Sequence, residues 1–335
     1  MRRRLFLAGL AAACALHAES NIASIDFFGV KGIDIAAVRR ALPVKPGDPV
    51  TPVLQDQLKQ AVKGTLGREA TDVAIVCCDT KQDRFVFIGL PGESSRAFTY
   101  NPRPIGSVAV DPEIGRLYQA SEEALEAASS KGPEAMREDD SQGYALSADP
   151  EMRATEYAIR RYALKHEKQI LRALAGSPDD REREAAAELL GYARQSPRQI
   201  DALVHASHDP SDGVRNNAVR ALGVLTESGS KLTRRIPAAP FIDMLCSGIW
   251  TDRNKAGWLL MQLTKSRDPR LLDQLRHQAL DALTEMARWQ FSGYNLGARV
   301  MLGRIAGIDD SRLDRLLAAG DVETVISQAE AGKRQ

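Results

Sequence analysis

Residues 209–225, DPSDGVRNNAVRALGVL, decide how this chain reads. Asp212 stands 32 residues after Asp180, and the same offset relates Arg183 to Arg215, Ala186 to Ala218, Leu190 to Leu222 and Gly191 to Gly223. Five coincidences at one offset indicate a duplicated unit of helix pairs. Such a unit buries its apolar face only by stacking on its neighbours, which is the signature of a solenoid. Outward from this stretch, apolar residues at helical spacing predict five pairs: 153–165 with 167–174, 181–194 with 198–207, 213–226 with 238–247, 253–265 with 269–289, and 293–305 with 311–329. Asp-Pro steps at Asp149, Asp209 and Asp268 punctuate the pairs.

The quoted stretch resembles the HEAT repeat, especially the subclass also found in relatives of phycobilin lyases. In that family an Asp and an Arg support the stacking of successive repeats. The resemblance therefore implies stacking roles for Asp180 and Arg183, for Asp212 and Arg215 and, more loosely, for Asp252 and Lys255. In the fourth unit Trp258 stands where the central units have Ala, so its packing must differ.

The block 19–98 alternates element types. Residues 23–28 read as a strand stopped by Gly29 and Gly32, and Asp34 caps a helix carrying Ile35, Val38 and Leu42. The turn KPGDP at 45–49 leads to a second helix with Leu54, Leu58 and Val62 on one face. Residues 73–78 and 85–90 then form a hairpin around the polar turn 79–83. This order of strand, helix, helix, strand, strand, headed by IASIDFFGVKGIDIAAVRRALPVKPGDPV, resembles a POTRA domain over residues 21–92. Only one such unit is present and no β-barrel follows it, so the barrel-linked assembly role does not carry over. The resemblance implies a sheet edge able to accept a partner strand. The fold class expected is an α+β module followed by an all-α HEAT-like superhelical solenoid over 151–335.

The 335 residues carry 45 Lys and Arg against 44 Asp and Glu, a net charge of +1, which excludes a polycationic nucleic-acid binder. The first 18 residues, MRRRLFLAGLAAACALHA, have a charged start, a short apolar run and a small-residue end, as in a secretory signal peptide. That apolar run is too short to span a bilayer. Arg3 and Arg4 offer a twin-arginine reading, but an ordinary Sec-type leader is the simpler one. Cys14 lacks the Leu three positions earlier that a lipoprotein site would carry, so no lipid anchor is expected. Without the leader, block 19–98 is neutral, 99–150 has four basic against ten acidic residues, and 151–335 has 28 against 24. The middle block reads as an acidic linker with one helix near 113–128.

Phosphate-binding loops, nucleophile elbows, HExxH and paired CxxC motifs are absent from the sequence, so no catalytic or cofactor-binding residue is assigned and no cofactor is expected. His205, His208, Asp209 and Asp212 form the best metal candidate, though Asp at this place serves equally as a helix cap. Cys77 and Cys78, adjacent on a strand, point to opposite faces and would make a redox pair in an oxidising compartment, or leave one thiol in the core. Cys246 reads as core. Trp250, Trp258 and Trp289 belong to the core or line a partner groove. The expected function is an exported, non-catalytic protein-binding scaffold of the periplasm or cell envelope with a protein partner. The alternatives are a redox- or metal-dependent protein using the Cys77 or His205 groups, or a lyase-like modifier by HEAT-family analogy.

Overall fold

A computed structural model describes residues 20–77, 79–132 and 134–332. The N-terminal module contains β1 (Ile22–Phe28), α1 (Ile35–Ala41), α2 (Leu54–Leu66), β2 (Asp72–Val76) and β3 (Arg84–Gly89). Its sheet has the order β1-β3-β2, with β1 parallel and β2 antiparallel to β3. Alternation along the strands gives the sheet two buried faces. Ile25, Phe27, Val86 and Ile88 pack on Val38, Leu54, Leu58 and Val62 of the two helices. Phe28, Phe85 and Phe87 point the other way, into the core of the helical region.

The segment expected as a linker lies against the solenoid. It carries α3 (Pro112–Ser130), which packs on the helices that follow, and a small β4–β5 hairpin (Glu138–Asp139, Leu146–Ser147). Ile114, Leu117 and Tyr118 are buried in the main core, and Glu138 pairs with Arg220, so its apolar stripe and its acidic end are both used.

The rest is helical: α4 (Pro150–Gly176), α5 (Asp180–Gly191), α6 (Pro197–Ala206), α7 (Asp212–Glu227), α8 (Ala239–Leu245), α9 (Trp250–Leu263), α10 (Pro269–Gln278), α11 (Leu280–Ala287), α12 (Ser292–Ile305), α13 (Asp310–Ala318) and α14 (Val322–Ala331). The first expected pair is one helix, α4, broken only by the non-helical backbone of His166. The second helix of each of the last two expected pairs is split, at Ala279 (φ −129°) and at Gly320 (φ +74°). Helices α5, α7, α9 and α12 stack in sequence as the inner row. Close approach along it depends on small residues. A Cβ on Gly191 would stand 3.0 Å from the Ala221 Cβ, and one on Gly223 would stand 2.1 Å from the Trp258 ring. Trp258 fills the notch that Gly223 leaves, which is how the fourth unit packs where its predecessors have Ala.

Candidate functional site

Among the described residues, α4, α5, α7, α9 and α12 open with the same device. The fourth residue of each helix donates to the main-chain oxygen six residues before it: Arg153 Nε to Ser147 O (2.6 Å), Arg183 Nη1 to Ser177 O (3.0 Å), Arg215 Nη1 to Asp209 O (2.8 Å), Arg253 Nε to Ser247 O (2.7 Å) and Asn295 Nδ2 to Trp289 O (2.6 Å). In four of these loops the residue six before also uses its side chain. Ser147, Ser177 and Ser247 Oγ and Asp209 Oδ1 accept the N–H two residues on, at 3.0, 3.1, 3.1 and 2.8 Å. The loop is thereby tied to its helix start through main-chain and side-chain hydrogen bonds of its own.

Three of these arginines also reach the next repeat. Arg183 grips Asp209 through Nε and Nη2 (2.8 and 2.9 Å), Arg215 grips Asp252 (2.8 and 3.1 Å), and Arg253 Nη1 donates to Glu285 Oε2 (2.9 Å). All three arginines are buried. A guanidinium in this position is compensated only while its carboxylate is present, and removal of one partner from a buried pair costs about 3–5 kcal/mol. Hydrogen bonding to Asp209 raises the pKa of Arg183, whereas burial raises that of Asp252 against the pull of Arg215.

Of the six residues expected to support stacking, Arg183, Arg215 and Asp252 form these rungs. Asp180 and Asp212 sit exposed at the first residues of α5 and α7, Asp180 within 3.8 Å of Arg103 and Asp212 accepting from Gly213 N–H at 3.0 Å. Lys255 lies two residues past the rung arginine Arg253, half-buried. Burial and then Arg220 bring its pKa down to about 8. The rung residues not anticipated are Asp209, in that role, with Arg153, Arg253, Glu285 and Asn295. A Ser or Asp followed six residues later by Arg recurs at 147/153, 177/183, 209/215 and 247/253 and would have revealed four of the five starts.

The rung at Arg253 is shared with the N-terminal module. Glu285 accepts Gly29 N–H (2.8 Å), Val30 N–H (3.0 Å) and the Ser94 hydroxyl as well as Arg253, whose Nη2 donates to Ser94 O (2.8 Å). Gly29 has φ +70°, and a Cβ there would stand 2.2 Å from both Leu90 O and Ser95 Oγ, so the loop reaches Glu285 only as glycine. Around this point Trp289 Nε1 donates to Phe27 O (3.1 Å) and Trp250 N–H to Asp72 (2.8 Å), and both indoles pack on Phe87 at ring distances of 4.9 and 5.2 Å. Trp250 and Trp289 thus belong to the core, packed against the chain's own sheet.

From the sheet the chain runs backward along the rung edge. Arg96 bonds Cys246 O (2.8 Å) and Gln278 O (2.6 Å), and Phe98 stacks on His208. Tyr100 lies beneath the Arg215 guanidinium (4.6 Å), and Asn101 N–H bonds His208 O (2.7 Å). Tyr162 then donates to Asp111 at 2.8 Å.

The metal candidates are dispersed by the same contacts. Both Asp209 oxygens face Arg183, His208 is stacked, Asp212 is exposed, and His205 Nε2 has Asn101 Nδ2 at 3.4 Å. Among the described residues no group of three or more His, Cys, Asp or Glu is placed to hold a metal ion. Cys78 lies outside the described residues. Cys77 is disulfide-bonded, and its carbonyl accepts from Tyr294 OH at 3.0 Å. Cys246 is a free, buried thiol whose pKa burial raises.

This repeated loop lock ties successive helices into a mostly helical repeat solenoid. Residues 167–254, which hold the rungs at Arg183, Arg215 and Arg253, match the HEAT-repeat family. Among solved structures the chain is similar to the designed armadillo repeat protein YIII(Dq)4CqI, at 15% identity over 57% of this chain and 97% of that one with a TM-score of 0.36. It is also similar to a computationally designed armadillo repeat protein for modular peptide recognition, at 14% identity over 64% and 98% with a TM-score of 0.36. Among curated proteins none matches.

Proposed function

We propose that this chain is a non-catalytic, protein-binding scaffold, exported through a Sec-type leader to the periplasm or cell envelope. The observation that carries the reading is the run of rung-locked helix starts from Arg153 to Asn295, which fixes a preformed, extended surface of repeats. Rigid repeats avoid the ordering cost that a flexible surface meets on binding. The β1-β3-β2 sheet supports the POTRA-like reading of the first module, because β2 lies at the edge and has no strand on its far side among the described residues. The leader supports export, and no helix among the described residues is long and apolar enough to cross a membrane.

The test is crosslinking and capture from an envelope fraction with the full chain tagged at its C-terminus, since sheet and solenoid share one core. A stoichiometric protein partner and a mature N-terminus near Glu19 are expected. Capture of no partner would sink the scaffold reading, and an intact Met1 in the purified protein would sink export.

A further inference from the structure

The edge of the stack opposite the rungs, where α7 and α9 end and α10 begins, holds a cavity of about 640 Å³. Its charged lining is uneven. Arg234, Lys265 and Arg270 border it and are exposed, and among the described residues none of their side chains makes an ion pair or a hydrogen bond. Their neighbours are paired, Arg235 with Asp201 (3.1 Å) and Arg267 with Asp310 (2.5 Å). The one carboxylate in the lining, Asp268, is engaged as the cap of α10, accepting Arg270 N–H at 3.0 Å. Helix dipoles account for Lys265, which follows the end of α9. They do not account for Arg270, which stands in the first turn of α10, where a cation is disfavoured.

A second, independent observation is the Gln262 side chain, only 5% exposed and part of the same lining. Its Nε2 donates to Glu227 (3.2 Å), which fixes the amide orientation and leaves Oε1 with no partner. A buried acceptor without a donor is costly, so the site wants an N–H or O–H from its occupant. Inorganic phosphate answers the three cations and can offer a P–OH to this acceptor near neutral pH, but it leaves the apolar lining of Ile236, Leu263 and Leu271 uncovered. A peptide answers both, with carboxylate side chains for the cations and main-chain N–H for Gln262. Ile236, Leu263 and Leu271 give it an apolar floor.

We infer that this basin binds an acidic peptide segment of a partner protein, with Arg234, Lys265 and Arg270 taking its carboxylates and Gln262 Oε1 taking a main-chain N–H. This rests on the scaffold reading and names the chemistry of one of its surfaces. The test is fluorescence anisotropy of the full chain with a labelled nine-residue peptide of alternating Glu and Leu, against its counterpart with Gln for every Glu. The acidic peptide is expected to bind at least ~10-fold tighter at low salt, with the gap closing by about 0.5 M salt. The triple variant R234S/K265S/R270S alters only exposed side chains and should abolish the preference. Gln262→Met should weaken binding roughly 3-fold without changing the salt slope.

Equal binding of the two peptides, a preference that survives the triple variant, or displacement by inorganic phosphate as effective as by unlabelled peptide would each overturn the site. A captured partner that the triple variant still holds overturns the basin and leaves the scaffold reading standing. Failed capture with the peptide preference intact does the reverse.

Discussion

Arg215 and Arg253 occupy the same position, fourth in an inner-row helix and bonded to the oxygen six residues back, yet they join different things. Arg215 turns its Nε and Nη2 to Asp252 of the next inner-row helix and closes the stack on itself. Arg253 gives one N–H to Glu285, which also holds the Gly29–Val30 loop, and another to Ser94. A device for stacking repeats thus becomes, one repeat later, the clasp for a separate α/β module. The difference lies in the acceptor: a main-chain or Asp oxygen near the helix start serves neighbours, whereas the longer Glu285 reaches across the interface.

The sharpest way to break this comparison is to remove each arginine. Arg215→Ala and Arg253→Ala should each cost about 3–5 kcal/mol, because each strands a buried carboxylate. In urea denaturation Arg215→Ala should keep tryptophan fluorescence and far-UV circular dichroism coincident. In Arg253→Ala the fluorescence of Trp250 and Trp289 should change first, as the sheet undocks. Coincident transitions in both variants would mean that the clasp is only another rung. Next in size, Gly29→Ala should cost about 2–4 kcal/mol through its positive φ and the crowding against Leu90 O and Ser95, while Gly191→Ala in the stack should cost about 1 kcal/mol.

The first rung supplies a pH test. Here the carboxylate, Glu156, takes Ser147 N–H (2.6 Å) and not the arginine, and burial lifts its pKa from 4.5 to about 7. The folded state therefore keeps a proton that the unfolded chain has released. Stability from this group is full below about pH 4.5 and is lost as pH rises through about 7. Urea midpoints at pH 5 and pH 8 should differ more for the wild type than for Glu156→Gln, and equal differences would refute the assignment. The smallest effect is expected at the exposed Lys31–Asp281 pair beside the clasp, where Lys31→Ala should leave the urea midpoint unchanged within its measurement error.

Much of this was legible in the sequence. The offset that aligns Arg183 with Arg215 exposes the central repeats, because both helices start at equal distance from their loops. It fails at the fourth unit. The loop between α7 and α8 is longer and holds the short 3-10 turn Lys231–Arg235, so Arg253 stands 38 residues after Arg215, and a match by residue type lands on Lys255. The acceptors were hidden for a related reason: Asp209, Asp252 and Glu285 lie 26, 37 and 32 residues beyond their arginines, with no common period. Segment 99–150 reads as solvated from its acidic charge, whereas α3 buries Ile114, Leu117 and Tyr118 in the main core and Glu138 pairs with Arg220. The basin gives no motif at all, since Arg234 comes from the 3-10 turn after α7, Lys265 from the turn after α9 and Arg270 from the first turn of α10.

The backward run from Ser94 to Asp111 fixes when the molecule can be finished. The Gly29 and Val30 amides meet an acceptor 256 and 255 residues later in the chain, so the first module to leave the ribosome is completed by nearly the last helices to follow. Contacts of such long sequence separation form late and slow the search for the native state. Until Trp250 of α9 reaches Phe87, and Trp289, Phe291 and Tyr294 reach Phe28 and Phe85, the growing chain carries an uncovered, aggregation-prone aromatic face for most of its synthesis.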